Sequence, residues 1–185
     1  VVSWQFVNAL RAWTAVLLSL GSSPSAPLFP LVFPLLQTIL AAVSHRPSLR
    51  FVPFRTHLLQ LAVQLLWGAS LHTPLLPHLL HSLRTLQAAR RSATDTRTQA
   101  RREFPLLLRF SEADVHSVEL LDAAHAQTCA TALDALKAHF FTLALPELAA
   151  PALVQLRKLA KDAPTPAHRQ RVRAIVRAVD AQAQH

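Results

Sequence analysis

Apolar residues recur at three- and four-residue steps through most of this chain, and no stretch alternates as a strand does. In residues 2–20, Trp4, Val7, Leu10, Trp13, Leu17 and Leu20 keep that step, which predicts a helix with one buried face. Gly21, Ser22, Ser23 and Pro24 stop it. Further helices are expected over residues 28–43, 51–66, 74–89, 111–143, 146–161 and from 165 onward. Pro30 and Pro34 compete for one first turn, so the second helix starts late or bends near Pro34. Pro53 lies in the first turn of the third, and Gly68 is expected just past its end. Ser111-Glu112-Ala113-Asp114 has the form of a capping box opening the helix over 111–143, with a break possible in the small, polar stretch 123–132. Thr165 is placed as the cap and Pro166 as the first residue of the last helix.

Three Leu-rich runs open on close proline pairs: Pro30 and Pro34, Pro74 and Pro77, Pro146 and Pro151. Proline suits a helix's first turn, where its missing N–H has no acceptor to lose. Pro30 and Pro74 are 44 residues apart, within the period of two-helix HEAT-type repeats, whereas Pro74 and Pro146 are 72 apart, so an insertion is expected before the third unit. The expected fold class is all-α, a HEAT/armadillo-like helical-repeat solenoid. Residues 88–103 lose the apolar period and are Thr- and Arg-rich. Phe104-Pro105-Leu106-Leu107-Leu108-Arg109-Phe110 follows as an apolar island too short for a stable helix of its own. The expected organisation is an N-terminal helical-repeat part over 1–87, a basic linker with an apolar docking strip over 88–110, and a C-terminal helical part of the same solenoid over 111–185.

Composition narrows the function. The chain has 185 residues, enough for one domain with a real core. It lacks Met and starts Val1-Val2-Ser3-Trp4, as expected of an internal piece of a longer protein. Two glycines argue against glycine-rich phosphate loops and dinucleotide folds. One cysteine, Cys129, excludes an internal disulfide framework and a Cys-rich zinc site. The apolar stretches 12–44 and 56–83 are cut by prolines and carry Gln and His, which argues against membrane spans. The net charge is +9, and residues 1–94 contain seven Arg and no Asp or Glu. Such asymmetry points to a polyanion or an acidic protein as partner, or to a surface kept basic for solubility.

Candidate chemistry is confined to binding. Arg90, Arg91, Arg97, Arg101 and Arg102 in the linker can pair with RNA phosphates, or be a solvated loop. Arg169, Arg173 and Arg177 form one stripe at four-residue steps, with the same two readings. Arg157, Lys158 and Lys161 are accounted for by the dipole at a helix C-terminus. Phe104, Leu106, Leu107, Leu108 and Phe110 form a strip that docks a partner or packs on its own domain. Trp4, Phe6 and Trp13 are expected in the core, with anchoring of a partner as the alternative reading. His72, His78 and His81, and His125 with Cys129, have loose metal-like spacing without a full ligand set. Asp114, Glu119 and Asp122 read as a polar helix face. No nucleophile turn or oxyanion glycine accompanies any Ser/His/Asp combination, and neither catalysis nor a cofactor is expected.

Trp4-Gln5-Phe6-Val7 with Leu10 and Trp13, then Pro30-Leu31-Val32-Phe33-Pro34-Leu35 and Gln37-Thr38-Ile39-Leu40, resemble the nucleolar complex protein 2 family. The likeness continues through Arg50-Phe51-Val52-Pro53-Phe54-Arg55 and returns at Leu145-Pro146-Glu147-Leu148, Pro151 and Val154-Gln155-Leu156-Arg157-Lys158. Residues 88–103 show none of it. The resemblance implies a HEAT-like, non-enzymatic protein of the nucleolus and nucleoplasm. Its implied partners are a sister nucleolar complex protein (1 or 3) and the large-subunit precursor particle with its rRNA, with no membrane and no small-molecule substrate. The alternative is a generic helical-repeat adaptor for acidic proteins; a membrane-associated helical protein is a third reading.

Overall fold

The computed structural model describes residues 2–20, 23–93, 103–140 and 145–182. Seven α-helices form there, with no strand among the described residues: α1 (Trp4–Leu20), α2 (Val32–His45), α3 (Val52–Ala69), α4 (Leu76–Ser92), α5 (Val118–Lys137), α6 (Leu145–Lys161) and α7 (Pro166–Gln182). Among the described residues no helix is long and apolar enough to cross a membrane.

The competing prolines fall in successive turns. Pro30 sits in a 3-10 turn, Phe29–Leu31, that runs directly into α2, and Pro34 is the third residue of α2. The first four N–H groups of a helix lack intrahelical acceptors, so neither proline removes a helical hydrogen bond. Gly68 lies inside α3 rather than beyond it. Ser70, at φ 51°, takes the left-handed cap and returns its N–H to Leu66 O. What Gly68 permits is close approach, since a methyl group there would run into Leu18 Cδ2 of α1.

The capping box forms but opens only a 3-10 turn, Asp114–His116. Ser111 N–H donates to Asp114 Oδ2 at 2.8 Å, and Asp114 N–H donates to Ser111 Oγ at 3.2 Å. Helix α5 starts later, with Ser117 Oγ accepting Leu120 N–H. It runs unbroken through 123–132 because Ala124, Ala132 and Ala135 are buried, small enough to let neighbouring helices close on α5. At α7, His168 N–H donates to Thr165 Oγ1 at 3.2 Å, as a Thr cap requires.

Helices α2 with α3, α4 with α5 and α6 with α7 pack as pairs, and α3, α5 and α7 touch in succession to join them. Helix α4 also touches α6, and α1 covers α3 and α2. Each proline-marked run therefore begins the first helix of a pair. The extra length falls between α4 and α5, inside the second pair, and not ahead of the third. This stack of helix pairs is compatible with a HEAT-like solenoid.

Helix α1 buries Val7, Leu10, Thr14 and Leu17. That stripe leaves Trp13 53% exposed, against the expectation of a core position, and leaves Leu20 exposed as well. Trp4 and Phe6 are half-buried, against His57 at 5.3 Å and Phe54 at 6.4 Å between ring centroids.

Candidate nucleic-acid and partner interfaces

Arg90 and Arg91 are not in a linker. Helix α4 extends to Ser92, so both belong to its last turn. Arg90 Nε donates to Asp122 Oδ1 at 3.0 Å, and Arg91 Nη2 donates to the Asp162 carbonyl at 2.6 Å. The first ties α4 to α5 and the second ties α4 to the chain leaving α6. Their spacing in the sequence suited phosphates equally well; only the fold supplies Asp122. Arg97, Arg101 and Arg102 lie outside the described residues.

The apolar strip is tied down by its own backbone. Phe54 N–H donates to Leu108 O at 3.2 Å, Phe110 N–H donates to Arg50 O at 2.8 Å, and His57 Nε2 lies 3.1 Å from Leu107 O. Phe104 and Phe110, 6.2 Å apart between ring centroids, are buried with Val52, Leu86, Leu120, Leu121 and Ala124 in a small second core. The side chains left toward solvent are Leu106, 68% exposed, and the half-buried Leu107 and Leu108.

Arg169, Arg173 and Arg177 are all exposed along α7, and among the described residues none of their guanidinium groups makes an ion pair or a hydrogen bond. The fold places Arg157 and Lys161 of α6 beside Arg169 and Arg173. Residue spacing hides this arrangement because two separate helices contribute to it. The bidentate partner of Arg157 is Asp180, at 2.9 and 3.0 Å from Nη2.

Between α4, α5 and α7 lies a buried polar network. The rings of His125 and His168 stack in parallel. His168 Nε2 reaches Asp122 Oδ1 at 2.8 Å, and Arg171 Nη1 reaches Asp122 O at 3.4 Å. His125 Nε2 faces the Gln87 amide nitrogen at 3.4 Å, and its Nδ1 is 3.7 Å from Cys129 Sγ. Burial, then the neighbouring His168 and Arg171, lowers His125 to about 3. Burial pushes the Cys129 thiol up to about 12, so it stays protonated and is a poor nucleophile. Asp122, read from sequence as part of a polar face, is the junction of this network. His72 stacks on His139 at 5.2 Å, and His81 Nε2 lies 3.1 Å from Pro47 O. Among the described residues no group of three metal-ligating side chains is assembled.

Arg55 is a fully buried cation in the half of the chain that has no carboxylate. Its Nη1 donates to Pro47 O at 3.2 Å and its Nη2 to His78 O at 3.3 Å. Burial lowers its pKa and, with the positive charge nearby, that of His78 too. Backbone carbonyls thus do the work an Asp or Glu would do, joining the segment before α3 to α4.

Stacked helix pairs, a loop pinned to its own core and a cationic edge define an all-helical protein compatible with a HEAT-like solenoid. The family model of the Noc2p family matches residues 1–185, and the chain belongs to that family. It is 26% identical over 163 residues to Nucleolar complex protein 2 of Drosophila melanogaster, covering 88% of this chain and 21% of that protein. It is also 26% identical over 166 residues to an uncharacterized NOC2 family protein of Schizosaccharomyces pombe, covering 87% of this chain and 23% of the relative. The chain thus spans between a fifth and a quarter of the length of these relatives.

Proposed function

We propose that this chain is a non-catalytic helical scaffold in the assembly of large ribosomal subunit precursors, acting in the nucleolus and nucleoplasm. It holds a sister nucleolar complex protein (1 or 3) and contacts precursor rRNA. Family membership and the name of the Drosophila relative support the nucleolar setting. The observation that carries RNA contact is the exposed, unpaired stripe Arg169, Arg173 and Arg177. Arg97, Arg101 and Arg102 belong to the same proposed contact set. Arg90 and Arg91 do not, since Asp122 and the Asp162 carbonyl already hold them. The sister factor is met by Leu106 with Leu107 and Leu108, while Phe104 and Phe110 anchor the strip from inside.

The test is charge reversal at Arg169, Arg173 and Arg177 in the full-length protein, followed by co-sedimentation with precursor particles over a salt series. Weaker association with a flatter salt dependence is expected. Unchanged association would remove the stripe from RNA contact. The acid-free first 94 residues favour a second reading, an adaptor for acidic proteins. Nuclease treatment separates the two: recovery of ribosomal proteins that depends on RNA supports the first, and RNA-independent recovery of one acidic protein supports the second.

A further inference from the structure

Helices α6 and α7 enclose a cleft of about 440 Å³ lined by Arg157, Lys161, Arg169 and Arg173, with Ala160 and Val176 completing it. Among the described residues no carboxylate lines it, and Asp180 occupies only Arg157. Lys161, Arg169 and Arg173 are exposed and unpaired among the described residues. We infer that this cleft binds the phosphodiester backbone of a single RNA strand and reads no bases. The inference rests on the RNA-contact reading above and specifies the ligand of that edge.

Three observations lead there. Cations stand on both walls, so a strand lying between them is neutralised from two sides. A rise of ~1.5 Å per residue sets Arg169 and Arg173 roughly 6 Å apart along α7, and Arg157 and Lys161 likewise along α6. That step is comparable to the one between successive phosphates of an extended strand, so the three unpaired cations, Lys161, Arg169 and Arg173, match a short run of phosphates. Finally, among the described residues no aromatic side chain lines the cleft, and aromatic platforms are what single-strand binders use to stack bases. A duplex presents a broad minor groove read by shape, which calls for a wide surface and not a narrow cleft. Guanidinium forks and an ammonium over an aliphatic floor of Ala160 and Val176 grip backbone and leave bases outside.

The experiment measures binding of the 185-residue chain to a labelled oligouridine and to an abasic phosphodiester strand of equal length, by fluorescence anisotropy over a salt series. Both strands are expected to bind alike, with a log–log salt slope of about −2 for three contacts. The triple variant K161Q/R169Q/R173Q, whose side chains support nothing in the fold, is expected to lose about tenfold in affinity and most of that slope. Its far-ultraviolet spectrum and melting temperature are expected to match the parent's. Tighter binding of oligouridine than of the abasic strand overturns the inference, as does a triple variant that binds like the parent or a parent that binds neither strand. Precursor association is measured in parallel. Association retained without strand binding overturns this inference alone, whereas loss of both in the parent overturns the scaffold reading as well.

Discussion

The imidazoles of His125 on α5 and His168 on α7 lie parallel, with ring centroids 3.7 Å apart. Two such rings, both fully enclosed, cannot both carry a proton without strong repulsion. The charges facing the pair are Asp122, which holds His168, and the guanidinium groups of Arg90 and Arg171. Burial is the main cause lowering both histidines, and it lowers His57, His78 and His139 in the same direction.

A pH dependence of stability follows, with a definite sign. Each histidine titrates lower in the folded chain than its ordinary 6.5, so the unfolded chain takes up protons first on acidification. The stability held above pH 6.5 is lost as pH falls, and for His125 the loss runs from 6.5 down to about 3. Between pH 6.5 and 5 that single group accounts for roughly 2 kcal/mol. Urea denaturation at these two pH values is expected to show the drop, and H125Q to shrink it. A denaturation midpoint indifferent to pH would contradict the neutral stack.

The loop between α4 and α5 is held by Phe110 and not by Leu106. Truncating fully buried Phe110 to Ala is expected to cost about 3–5 kcal/mol, since it empties the second core. Leu106→Ala is expected to stay within about 0.5 kcal/mol in thermal denaturation, because its side chain faces solvent. In a pull-down with the proposed sister factor the order is expected to reverse, L106A losing binding while its fold stays intact.

Arg90 belongs to the fold. Removing its side chain leaves Asp122 with His168 as its side-chain partner, and R90A is expected to lower stability by about 1 kcal/mol, a modest figure because the pair is partly exposed to solvent. R91A, whose contact is an exposed hydrogen bond, is expected to change stability by less than about 0.5 kcal/mol. Equal melting temperatures for R90A and the parent would show that the Asp122 pair contributes nothing.

Cys129 is expected to resist thiol reagents in the native chain at pH 8, where a thiol raised to about 12 by burial supplies almost no thiolate. In urea it is expected to react at the rate of an ordinary cysteine. Rapid labelling of the folded chain would show that the core around His125 opens.

The sequence by itself determined the helices and their units. Apolar period, Thr165 and the prolines are local signals, acting within one or two turns, and α1, α6 and α7 start within two residues of their expected positions. Pro34, Pro77 and Pro146 mark the first helix of each stacked pair because a missing N–H costs nothing in a first turn, whereas Pro151, also expected to open its run, lies inside α6. Contacts between segments were not legible. Nothing local tells Arg90 that Asp122 lies across the α4–α5 junction, or Phe110 that Val52 and Leu86 leave room for its ring. Trp13 kept the period yet faces solvent, since the stripe through Val7, Leu10, Thr14 and Leu17 sets the angle at which α1 meets α3. The α6–α7 cleft is likewise a product of packing: spacing along the chain orders side chains on one helix, and only the docking of two helices decides which cations end up on facing walls.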